Sequence, residues 1–120
     1  MTISLSGANP PTKGEFVGNY QESAIVNGHP SWINANYAIW YSDGLPGWVV
    51  GPISNRGGDT VGLIANGHGQ GTSCPNYIAS TNWYHHNGVS WVSFPSSVIS
   101  FTCSQAKGKK NSLCVDDTYT

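Results

Sequence analysis

Charge is what this chain has least of. Five Lys and Arg with six Asp and Glu make up 9% of its 120 residues, where an ordinary soluble domain carries about 25%. From Thr60 to Ala106 there is no charged residue at all. A formal net charge of −1 offers no basic surface to neutralise phosphates, so nucleic acid is not an expected partner. Long apolar runs are also missing. None approaches the roughly 20 residues that cross a bilayer as a helix, and no membrane insertion is expected. The opening Met1-Thr2-Ile3-Ser4-Leu5 lacks a basic start leading into an apolar stretch. No signal peptide is therefore read: either the chain is cytoplasmic or an expression start stands where a signal was.

Other absences narrow the chemistry. The three cysteines, Cys74, Cys103 and Cys114, form no Cys-x-x-Cys pair, so no zinc pattern is present. None of the eleven Asn begins an Asn-x-Ser/Thr acceptor, so N-glycosylation is not expected. The carboxylates are Glu15, Glu22, Asp43, Asp59, Asp116 and Asp117, a poor supply for the two facing carboxylates of a glycosidase. Gly and Pro are spread so evenly that few windows could hold a three-turn helix.

Aromatic residues are abundant instead, with five Trp and six Tyr, and they sit in strand-like segments. Ala24-Ile25-Val26 and His29 to Trp32 flank Asn27-Gly28, a pair that suits a type I′ hairpin. Tyr37 to Tyr41 and Trp48 to Val50 form a second pair. Asn82 to His86 and Val89 to Phe94 form a third around Asn87-Gly88. Val98 to Cys103 reads as a last strand, with Ile99, Phe101 and Cys103 on one face. The glycine-rich stretch 53–80 is too long for an idle loop and is expected to hold a strand or a binding loop. The reading is a single all-β domain over residues 1–120, a small antiparallel sheet or sandwich built from β-hairpins with little or no helix. Its core spans about 15–103. The tail 104–120 is expected to be tied down by a Cys103–Cys114 disulfide, leaving Cys74 as a free thiol or an inter-chain link.

Strand parity sorts the side chains. Any even-length loop puts Tyr37, Ile39, Tyr41, Trp48 and Val50 on one face, a core face. Trp40 lies opposite among small residues, under a second layer or open to solvent. Around Asn87-Gly88, Tyr84 is expected opposite Trp91 and Trp83 opposite Val92. One face then carries Trp83, His85, Val92 and Phe94. The other carries Asn82, Tyr84, His86, Trp91 and Ser93.

Flat rings beside neutral polar groups suit a sugar. The C–H face of a pyranose stacks on an indole, and its uncharged hydroxyls need short neutral partners. Trp40, Asn82, Tyr84, His86 and Trp91 are the candidate ligand-binding residues, set against the alternative that these rings fill the space between sheets. The string Asn66 to Cys74 is the most enzyme-like segment, placing His68, hydroxyls and a thiol among glycines. It has no acidic residue between Thr60 and Ala106 to orient the histidine. Asp43-Gly44 and Gly57-Gly58-Asp59 could contribute to a calcium shell. His29, His68, His85 and His86 read as solvated or core-edge residues, and no metal or cofactor is expected. Lys107, Lys109 and Lys110 read as a solvated turn.

The phrases Asn27-Gly28-His29-Pro30-Ser31-Trp32, Ala38-Ile39-Trp40-Tyr41, Gly47-Trp48-Val49-Val50-Gly51 and Trp83-Tyr84 resemble small Trp-rich β-modules. These recur, often in tandem, in multidomain proteins of diverse eukaryotes. The likeness covers about Phe16 to Val92. It implies a compact β-module, often extracellular, and carries over no residue role. The expected function is a non-catalytic extracellular module that binds a glycan or glycoprotein. One alternative is a structural or self-assembling coat, matrix or filament module. Another is a small hydrolase using His68 and Cys74.

Overall fold

The computed structural model describes residues 1–6, 14–44, 46–58, 64–65, 74–78, 80–86, 89–96 and 98–102. These form ten strands: β1 (Thr2–Leu5), β2 (Gly18–Asn19), β3 (Gln21–Glu22), β4 (Trp32–Ile33), β5 (Tyr37–Ser42), β6 (Gly47–Pro52), β7 (Ile64–Ala65), β8 (Tyr84–His86), β9 (Trp91–Ser93) and β10 (Ile99–Thr102). Helix is limited, among the described residues, to three short 3-10 turns at Ile53–Asn55, Pro75–Tyr77 and Ser80–Asn82. The fold is all-β and antiparallel. A three-stranded sheet runs β10-β1-β2, and a seven-stranded meander runs from β3 to β9 in chain order.

The central hairpin β5–β6 has the register that parity requires. Tyr41 faces Trp48 and Ile39 faces Val50, so Tyr37, Ile39, Tyr41, Trp48 and Val50 share the side that meets the core. The first hairpin turns at Asn27-Gly28. Val26 and His29 exchange backbone bonds of 2.8 and 3.0 Å, and both turn residues have positive φ, 52° and 81°. That is the left-handed pair a two-residue I′ turn demands. Behind the turn, Ser23 N–H donates to Ser31 O, so Ala24 and Ile25 oppose Pro30 alone in a one-residue bulge. Pro30 has no N–H to give across the pair. The Ser31 hydroxyl supplies a bond to Ala24 O instead, at 2.5 Å.

The two sheets close on one cluster. Ile3, Phe16, Tyr20, Ile99 and Phe101 meet Trp32, Ile39, Trp48, Val50, Trp83 and Phe94. Trp83 stacks on Phe101 at 4.2 Å and 14°, joining the approach to β8 with β10. A fully buried indole removes roughly 150–250 Å² from water, on the order of 4–6 kcal/mol. Four of the five Trp are fully buried, so aromatic burial dominates the stability of this small core. Tyr20 is the corner where the chain leaves β2 for β3 and changes sheet. It is buried, its N–H donates to Met1 O at 2.7 Å, and its hydroxyl donates to Phe16 O at 2.6 Å.

Several expectations need amendment. The core does not begin near residue 15, because Met1 and Ile3 belong to it and β1 pairs with β10 from Thr2↔Thr102 to Leu5↔Ile99. The strand expected within 53–80 is β7. Cys74 is disulfide-bonded, so it is not the spare thiol of the sequence reading. Cys103, Cys114 and the tail lie outside the described residues. With three cysteines in the chain, a bridge at Cys74 takes one that Cys103–Cys114 would need, so the two pairings exclude each other.

Candidate functional site

Four of the five expected ligand-binding residues share one face of the seven-stranded sheet, the face turned away from the main core. The register carries Trp40 to Val49, Val49 to Ala65, Ala65 to Tyr84 and Tyr84 to Ser93. His86 and Trp91 form the next pair on the same side. Asn82 stands apart, closing the Ser80–Asn82 turn just ahead of β8, and is half-buried.

The pairing of the last hairpin differs from the expected one. Tyr84 faces Ser93 and His86 faces Trp91, two residues away from the Tyr84–Trp91 register. The connection spans residues 87–90 rather than turning symmetrically about Asn87-Gly88. A two-residue shift leaves every paired side chain of the hairpin on its expected face. Val89 is pushed out to the tip and is 88% exposed.

Trp40 is fully buried and therefore offers no ring to a ligand, which corrects its assignment as a binding residue. Together with Ala38 and Val49 it makes a second, smaller core, against which Val26, Ile33 and Trp91 are partly packed. Its indole N–H donates to Gly58 O at 3.0 Å. The segment 53–58 is drawn down here by two further bonds: Asn27 Nδ2 donates to Gly57 O at 3.3 Å, and Arg56 Nη1 to Ser23 Oγ at 3.1 Å. A strap of backbone thus seals Trp40.

Beyond the strap the face opens. Trp91 and Tyr84 are half-buried, and His86 and Ser93 are exposed. The His86 ring meets Trp91 edge-on, 5.4 Å away and at 80°. Ser93 Oγ donates to Thr81 O at 2.7 Å, tying β9 to the turn before β8. His85 points the other way, as alternation requires, and is buried against Phe94 at 4.9 Å. Burial holds its imidazole below the ordinary pKa of 6.5. The open face is aromatic and polar, with no Lys, Arg, Asp or Glu among its described residues. It can stack an apolar ring face and exchange hydrogen bonds with hydroxyl groups.

The remaining chemical candidates are mostly not assembled. Cys74 in a disulfide has no thiolate to act as a nucleophile. His68 and Asp59 lie outside the described residues, as do the tail lysines. No group of three or more His, Cys, Asp or Glu capable of holding a metal occurs among the described residues. One aromatic group has no signature in the sequence pattern. The half-buried His29 lies 4.1 Å from Tyr41 and edge-on to Trp48 at 5.7 Å, brought there by the Asn27-Gly28 turn. The chain matches no family model, no curated protein and no solved structure.

Proposed function

We propose that this chain is a non-catalytic, extracellular binding module that takes a neutral carbohydrate on the face formed by Tyr84, His86 and Trp91, with Asn82 and Ser93 at its margin. The observation that carries the reading is the shared register of those three aromatic side chains on a sheet face that Trp40 and the strap leave partly open. Trp91 offers a partly exposed indole fixed from behind by the Trp40 cluster, so little side-chain entropy is lost when a sugar stacks on it. The His86 imidazole and Tyr84 hydroxyl are short polar groups of the kind that bond sugar hydroxyls. An extracellular location is supported by the disulfide at Cys74, since such bonds persist in oxidising compartments.

The test is a glycan array followed by tryptophan-fluorescence titration with the best oligosaccharide. Trp91→Ala should weaken binding tenfold or more, the equivalent of about 1.4 kcal/mol, while circular dichroism stays native. An array without a hit, or a Trp91→Ala protein that binds as tightly as the parent, overturns the reading.

A second reading, assembly through a sheet edge, has one observation in its favour. Strand β9 ends the seven-stranded order, has no charged residue, and holds Val92 at 38% exposure. Natural edge strands are often blunted by charge. Under this reading sedimentation velocity shows size rising with concentration, and Val92→Lys abolishes the rise. A monomer at every concentration removes it.

A further inference from the structure

The disulfide at Cys74 has two possible partners in the chain, Cys103 and Cys114. We infer that the partner is Cys103, so the bond joins the start of the Pro75–Tyr77 turn to the end of β10, and Cys114 keeps its thiol.

Three observations converge. Cys74 immediately precedes the Pro75–Tyr77 turn and packs, partly buried, against the core that both sheets share. That same turn packs on β10. Strand β10 ends at Thr102, so Cys103 is the next residue along, one peptide unit from the packed strand. Alternation points the same way: Ile99 and Phe101 are buried while Ser100 and Thr102 are exposed, which makes 103 the next position on the buried side of the sequence pattern. A disulfide needs Cα atoms roughly 4.4–6.8 Å apart. The turn that begins after Cys74 packs on the strand whose next residue in sequence is Cys103, whereas Cys114 stands eleven residues further along the chain.

Bond formation removes one proton from each thiol and two electrons from the pair. A protein or small-molecule disulfide of the oxidising compartment accepts the electrons and is released as two thiols. The bridge closes a loop that contains the Ser80–Asn82 turn, β8 and β9, so it fixes both ends of the segment carrying the Tyr84–His86–Trp91 face.

The distribution of lysine and arginine makes the pairing directly readable. Trypsin cutting after Arg56, Lys107 and Lys110 places Cys74 and Cys103 together in fragment 57–107 and Cys114 alone in fragment 111–120. Full-length protein made under oxidising conditions is alkylated at low pH, digested without reductant and weighed. The inference expects fragment 57–107 two hydrogens lighter than its reduced form and unlabelled, with fragment 111–120 carrying one alkyl group. Fragments 57–107 and 111–120 joined to each other overturn it, as does labelling of all three cysteines. Cys114→Ser should leave the internal bridge intact, and its loss in that variant also counts against the pairing. The readout is covalent, so it stands whether or not the face binds sugar.

Discussion

Trp40 was the candidate binding residue that proved to be sealed, and Trp40→Phe tests what sealing is worth. The phenyl ring keeps much of the contact with Ala38 and Val49 but gives up the pyrrole edge and its N–H. Losing the 3.0 Å bond to Gly58 O leaves that carbonyl without its donor, at a cost of about 1–1.5 kcal/mol. Three ring atoms disappear from a fully buried site. Their lost transfer energy and the space left behind add about 1–2 kcal/mol. The total destabilisation is roughly 2–3.5 kcal/mol. For a domain of this size each kcal/mol lowers Tm by roughly 3–5 °C, so a fall of roughly 10 °C is expected. Urea unfolding followed by far-ultraviolet circular dichroism measures it. Amide exchange at Gly57 and Gly58 should accelerate as the strap loosens, while sugar affinity changes little below the transition. A loss under 0.5 kcal/mol, or a selective loss of sugar binding with stability intact, would refute the account of Trp40 as a strap anchor.

Three other perturbations have clear signs. Gly28→Ala places a Cβ at φ +81° where nothing lies within 4 Å, so its cost is backbone strain alone, about 1–2 kcal/mol by thermal unfolding; a neutral result would mean the turn is not left-handed. Trp91→Ala removes a half-buried ring, so stability should fall by only about 1–2 kcal/mol while sugar-induced fluorescence change is lost. His85 is held neutral by burial, so the unfolded chain takes up a proton first as pH falls. Its contribution is intact above about pH 6.5, erodes as pH drops from there toward the lowered folded value, and levels off below it. Urea midpoints at several pH values should show that slope, and His85→Gln should flatten it.

Where local pattern decides structure, the sequence was readable. The alternation in Tyr37–Ser42 and Gly47–Pro52 fixes faces for any even loop, and the Asn27-Gly28 dihedrals follow from residue type. Ile99 and Phe101 separate from Ser100 and Thr102 by the same parity. In the last hairpin, parity gave the correct faces but not the partners, because register depends on where the loop starts, and Val89 and Ser90 join the connection. Strand β1 has no local signal because Thr2–Leu5 has no turn beside it; its partner lies at the far end of the chain. The fate of Trp40 was hidden for a similar reason. Its parity was plain, but its cover is a carbonyl from Gly58, and no periodicity in the sequence announces a backbone acceptor arriving from another segment.

The sheet orders set a timetable for folding. Each strand of the seven-stranded meander lies beside its chain neighbours, so those pairings close loops of at most eighteen residues and can form early, even while later residues are still emerging from the ribosome. Thr2 must wait for Thr102. Until that distant strand is available, β1 has an unfilled side and Ile3 lacks Phe101 as its cross-strand partner. The final locking of the molecule is therefore assigned to its most non-local contact, and perturbations in β10 should act chiefly on how long the nascent chain stays vulnerable to aggregation.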